Sequence, residues 1–98
     1  MNVIKNLNGS TLTAAIEGRV DTTTAPTLEK EIKDSLNGIT VLIFDFEKVE
    51  YISSAGLRVL LSCQKIMSKQ GSMKLIHVGD DIMEIFEVTG FSDILTVE

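Results

Sequence analysis

Val41-Leu42-Ile43-Phe44 leads through Tyr51-Ile52 into Ser53-Ser54-Ala55-Gly56-Leu57, and a helical pattern follows from Leu57 to Met67. A continuous apolar run, four small residues and an amphipathic stretch together predict a strand, a turn and a helix. The unbroken run at 41–44 predicts a strand covered on both faces, with Asp45 and Glu47-Lys48 marking its exit. The helix is expected from near Ser54 to about Lys69, stopped by Gln70-Gly71. Small residues at such a turn leave the helix N-terminus uncovered, where unpaired N–H groups and the positive end of the helix dipole favour an anion.

Ser53 and Ser54 therefore admit two readings from the residues alone. One of them is an N-cap, an interaction worth about 1 kcal/mol, or one of them is a phosphate acceptor. A capping box would place Glu or Gln three residues on, and Gly56 and Leu57 stand there instead. Gly56 costs roughly 1 kcal/mol relative to Ala inside a helix, so its smallness points to close approach of another backbone or of a partner. At about 100° per residue, Val59, Leu60, Cys63, Ile66 and Met67 fill a core arc and Arg58, Ser62, Lys65 and Lys69 a solvent arc. Leu57 and Leu61 fall on the flank. They are either peripheral core or an exposed apolar ridge beside Ser54.

Upstream, Asn2–Leu7 and Thr11–Glu17 flank Asn8-Gly9, a pair suited to a tight hairpin turn. Gly18-Arg19-Val20-Asp21 is expected to break the second strand, and Thr22-Thr23-Thr24 offers N-caps for a helix carrying Ala25, Leu28, Ile32 and Leu36 at helical spacing. Pro26 suits its first turn and Asn37-Gly38 its end. Downstream, Lys74–Val78 is expected as a strand, Asp81 and Glu84 as a capping box for a helix closed by Gly90, and Ile94–Val97 as a short last strand. The order is β-β-α-β-α-β-α-β: one α/β domain spanning 1–98, with a mixed, mostly parallel sheet, an N-terminal antiparallel hairpin and about three main helices.

Composition narrows the function classes. The formal net charge of −5 argues against nucleic acid and against direct membrane binding. A single cysteine excludes an intrachain disulfide and fits a reducing compartment, and no leader or long apolar run is apparent, so a cytoplasmic location is expected. Enzyme chemistry finds few candidates. His77 alternates with apolar residues as a strand position would, and Cys63 lies on the core arc. Asp21, Asp45, Asp80 and Asp81 read as helix caps and strand ends, with paired carboxylates in space as the alternative. There is no metal-ligand spacing, no Gly-x-Ser-x-Gly elbow and no Walker or Rossmann phosphate loop, so neither metal nor cofactor is expected.

Three segments, in order, resemble the STAS-domain family, and within it the stand-alone bacterial anti-sigma factor antagonists. Gly18-Arg19-Val20-Asp21 with Thr24-Ala25 is similar to the family's Gly-x-hydrophobic-Asp turn. Val41–Phe46 through Val49–Ile52 is similar to its central strand and the approach to the switch, and Ser53-Ser54-Ala55-Gly56-Leu57 to its switch motif, usually Asp-Ser-(Ser/Ala)-Gly-Leu. The resemblance implies a non-catalytic partner switch. Unphosphorylated, it binds an anti-sigma factor that is also a serine kinase, freeing a sigma factor; phosphorylation breaks that complex and a serine phosphatase restores it. Aligned on Gly56-Leu57, the acceptor is Ser54, with Ser53, which replaces the usual Asp, as a second candidate. The implied partner surface comprises Asp21, Thr22, Thr23, Ser53, Ser54, Ala55, Gly56, Leu57, Arg58 and Leu61. The alternative is a STAS module serving as a structural subunit of a lipid-transport or signalling complex without such a switch.

Overall fold

The computed structural model describes residues 1–98. Strands β1 (Asn2–Asn8), β2 (Thr11–Val20), β3 (Val41–Ile52) and β4 (Ser72–Ile76) form one sheet in sequential order, β1-β2-β3-β4. The first pair is antiparallel and the other two are parallel. Helix α1 (Ala25–Lys33) connects β2 to β3, α2 (Ser54–Gln70) connects β3 to β4, and α3 (Asp80–Thr89) follows β4. This is the expected mixed α/β architecture up to its last element. In place of a final strand at 94–97 there is a 3₁₀ turn at Phe91–Asp93 and a single parallel bridge, Leu75 to Val97.

The sheet buries one face. Leu12, Ala14 and Ile16 of β2 alternate with half-buried neighbours, and Leu42, Phe44 and Phe46 of β3 and Met73 and Leu75 of β4 with half-buried or exposed ones. In-register pairing sets Leu12 beside Leu42 and Leu42 beside Met73, so these side chains share the helix-covered side. Val41 and Ile43 are only half-buried on the opposite face. The expectation of a strand covered on both faces is therefore corrected: all three helices supply their buried residues, among them Leu28, Ile32, Leu60, Met67 and Phe86, to one core.

Local details depart from expectation for identifiable reasons. Asn8 ends β1 paired with Thr11, so the hairpin turn is Gly9-Ser10, with only Gly9 at positive φ. β2 does not break at Gly18. It bulges between Ala15 and Glu17 and again between Gly18 and Arg19, and so stays paired to β3 as far as Val20. β3 accordingly runs to Ile52 rather than leaving at Asp45, although β4 pairs with it only as far as Asp45. α1 ends at Lys33, before Leu36, because Ser35 and Leu36 donate to Ile32 and Lys33 in a tightened last turn. β4 begins at Ser72, and His77, read as a strand residue, lies beyond the strand at φ +56. The N-cap of α3 is Gly79, with no side-chain cap, and Asp81 is already inside the helix, so the expected capping box is absent. No helix is long and apolar enough to cross a membrane.

Candidate functional site

Beyond Asp45, β3 is paired only with β2, and the two strands project as an arm past the end of β4. At its tip Val20 pairs with Ile52, and the Ser53 N–H donates to the Val20 carbonyl at 2.8 Å. That bond holds the start of α2 against the turn opened by Asp21. Asp21, rather than the three threonines, organises this turn. Its Oδ1 accepts from the N–H groups of Thr23 (3.0 Å) and Thr24 (3.1 Å), and its carbonyl accepts from Ala25 N–H. Thr24 occupies the N-cap position without a side-chain cap bond. Its hydroxyl instead accepts from Asp21 N–H and donates to the Arg19 carbonyl. The hydrogen bond from Thr24 N–H is the largest influence on the Asp21 carboxyl; with those from Thr23 and the nearby Arg19 it outweighs desolvation and holds the pKa below its ordinary value. Arg19 lies over the Tyr51 ring at 4.5 Å, bracing the outer side of the arm.

The two serines have different surroundings. Ser53 is the N-cap, with extended backbone, and its Oγ accepts from Gly56 N–H at 3.4 Å. Its own N–H is committed to the sheet, and it is half-buried. Ser54, the first helical residue, is exposed, and no intramolecular hydrogen bond holds its hydroxyl. The Ser54 and Ala55 N–H groups precede the first α-helical bond, from Leu57 N–H to Ser53, and have no backbone partner. Arg58, one turn along, is also exposed.

Gly56 is buried, and its smallness is required from inside. A Cβ there would stand 2.6 Å from Ile52 Cγ1 and 2.8 Å from Val20 Cγ1. The turn is small because α2 sits directly on the last rung of β2 and β3. Leu57 is 5% exposed and belongs to the core, whereas Leu61 is half-buried outside that cluster, so the two leucines do not form one exposed apolar ridge.

The open surface beside Ser54 is formed by two helices. Thr22, Pro26 and Lys30 face Ala55, Arg58 and Val59 across a groove of about 550 Å³ between α1 and α2. Of the residues expected at the partner surface, Thr22, Thr23, Ser54 and Arg58 are exposed, and Asp21, Ser53, Ala55 and Leu61 are half-buried. Gly56 and Leu57 lie beneath. The contribution of α1 is absent from the sequence reading; only a charged solvent face, Glu29, Lys30, Lys33 and Asp34, marks it there, and such faces are ordinary.

Elsewhere, Cys63 is fully buried, and burial pushes its thiol up to about 11, away from nucleophilic use. His77 Nδ1 lies 3.0 Å from Asp45 Oδ1 and 4.0 Å from Glu47 Oε2. Burial tends to raise the Asp45 carboxyl, but the Glu47 N–H and the His77 ring more than offset this and leave its pKa lowered. The three side chains bring ligand atoms within 4.8 Å of one another, a proximity the sequence spacing does not reveal.

The profile of the STAS domain matches residues 2–98, and the chain belongs to this family. It is 35% identical over 88 residues to BtrV of Bordetella bronchiseptica, a candidate anti-sigma factor antagonist, covering 88% of this chain and 76% of that protein. It is 29% identical over 98 residues to the anti-sigma-B factor antagonist of Bacillus subtilis, covering 99% and 90%. Among solved structures it is similar to the anti-sigma factor antagonist SpoIIAA, at 15% identity. The TM-score is 0.84 against the unphosphorylated form and 0.76 against the phosphorylated Bacillus form, with 99% of this chain and 88% and 91% of those chains covered. At that identity the structural likeness establishes the fold.

Proposed function

We propose that this protein is an anti-sigma factor antagonist that works by partner switching, with Ser54 as its phosphate acceptor. In its unmodified form it binds an anti-sigma factor that is also a serine kinase, and a sigma factor is released. Transfer of the ATP γ-phosphoryl group to Ser54 Oγ, with loss of the hydroxyl proton, ends the complex, and a serine phosphatase hydrolyses the ester to restore it. The protein is substrate and binding module, without catalysis of its own, and acts in the cytoplasm.

One observation carries this reading: the exposed Ser54 hydroxyl is unbonded at the start of α2, while Ser53 is committed to the cap. Uncommitted Ser54 and Ala55 amides and the helix dipole make the free protein tolerant of a phosphate there. The bound partner meets the same group as about −1.5 to −2 new charges at the edge of the α1/α2 groove. Binding is lost where that charge faces acidic or apolar partner surface, while the fold is retained. Thr22, Thr23, Ala55 and Arg58 form the accessible partner surface; Asp21, Gly56 and Leu57 shape it from below.

Incubation with the cognate kinase and ATP, followed by mass mapping, is expected to place phosphate on Ser54. Phosphate on neither serine would sink the switch, and phosphate on Ser53 alone would move the acceptor. By calorimetry, Ser54→Ala should keep anti-sigma binding and Ser54→Asp should weaken it. Equal binding by the two variants contradicts the electrostatic mechanism.

A further inference from the structure

All the net negative charge of this chain lies in its last fifth. Residues 79–98 hold six carboxylates (Asp80, Asp81, Glu84, Glu87, Asp93 and Glu98) and no Lys, Arg or His. The chain has 14 Asp and Glu and 9 Lys and Arg, so residues 1–78 hold eight carboxylates against nine cations. Glu98 pairs with Lys74 at 3.3 Å, and the other five make no ion pair.

α3 buries Ile82 and Phe86. On another face, Asp81, Glu84, Ile85, Val88 and Thr89 repeat at helical spacing and line an open groove of about 380 Å³. Val88 is 81% exposed, and Ile94, just past the 3₁₀ turn, is 48% exposed. A β-branched residue is a poor choice for an exposed helix position. Val88 supports little inside the molecule. An isolated exposed valine is ordinary; one seated in a groove among unpaired carboxylates has the composition of an anchor site with a charged rim.

We propose that this face of α3 is a second docking surface, taking a basic amphipathic segment of a partner protein. An apolar side chain of that segment sits on Ile85 and Val88, and its Lys or Arg residues face Asp81 and Glu84. The same charge repels an anionic membrane or a nucleic acid. Two-fold pairing with a second copy would set carboxylates against carboxylates. The surface is remote from Ser54: α3 follows β4, which pairs with β3 only to Asp45, and β3 continues to Ile52, roughly 20 Å further along the strand. A partner held on α3 therefore stays docked whether or not Ser54 carries a phosphate, and the proposal does not depend on the assignment of Ser54.

The test is a titration of the isotopically labelled full chain with a short synthetic helix bearing leucines on one face and lysines on the other, followed by amide NMR. A scrambled peptide of the same composition is the control. Shift changes are expected along α3 and the segment after it, with Ser53–Leu57 unmoved, and weaker for the scrambled peptide. Val88→Ser, which keeps every carboxylate, should weaken binding about tenfold; Glu84→Lys should weaken it as well. No binding, equal binding by Val88→Ser, or shifts spread over Glu47 and Glu50 would overturn the proposal. So would self-association of the free chain in sedimentation that Val88→Ser abolishes, since a second copy would then be the occupant.

Discussion

Adding one methyl group to Gly56 sets two effects of opposite sign against each other. Gly56 lies in the first turn of α2, and replacing a helical glycine by alanine stabilises a helix by roughly 1 kcal/mol. The new Cβ would stand 2.6 Å from Ile52 Cγ1 and 2.8 Å from Val20 Cγ1. Both contacts are about 1 Å inside the optimum carbon–carbon separation. Neither neighbour has room to yield, since Ile52 is 2% exposed and Val20 fully buried, on the last paired rung of β2 and β3. Overpacking of this kind costs about 1–3 kcal/mol, and two simultaneous clashes belong in the upper part of that range. Gly56→Ala should therefore destabilise the protein by about 1–2 kcal/mol net. In equilibrium urea unfolding the midpoint should fall by about 1 M with the slope unchanged. In a Val20→Ala background, where one of the two contacts is gone, the penalty should shrink. A midpoint that rises, as helix propensity alone requires, would show that Gly56 is not held small by the strands beneath it.

Three further outcomes follow from the same geometry. Asp21 has a lowered carboxyl pKa, so its stabilising effect is present above the unfolded-state value near 3.8 and is lost as pH falls through the lower folded value. Asp21→Ala should lower Tm at neutral pH, and the gap to the parent should close below about pH 4 in paired thermal melts; a gap constant down to pH 2 would contradict the assigned role. Cys63, fully buried and with its pKa raised to about 11, should resist iodoacetamide at pH 8 in the native protein and react once urea unfolds it, as read by intact mass. Gln70 Nε2 donates to the carbonyls of Leu36 and Ile39 at 2.8 and 2.6 Å, tying the end of α2 to the α1–β3 connection. Gln70→Ala should cost about 1–3 kcal/mol in chemical denaturation, because two acceptors lose their donor; a change below 0.5 kcal/mol would mean that water replaces both bonds.

Most of the elements are legible because their signals are local. Leu12, Ala14 and Ile16 alternate, Leu28 and Ile32 recur at helical spacing, and each pattern has one physical solution. The strand at 45–52 is not legible in this way. Asp45, Glu47, Lys48 and Glu50 look like a loop, and they extend only because the bulged end of β2 supplies their hydrogen bonds. The last strand fails for the converse reason: Ile94–Val97 has strand composition but finds only one bridge on β4.

The candidate site divides along the same line. Sequence alone marked Ser53-Ser54-Ala55-Gly56 as an uncovered helix start, because small residues and hydroxyls at a strand-to-helix turn act through their own backbone. Which serine caps and which is free, whether Gly56 faces a partner or the core, and what Leu57 touches were decided by the tertiary structure. Each depends on where Val20 and the Asp21 turn lie beside Ile52, across a connection of some thirty residues. Backbone propensity is written residue by residue, whereas burial and hydrogen-bond commitment are set by neighbours the chain meets only once folded.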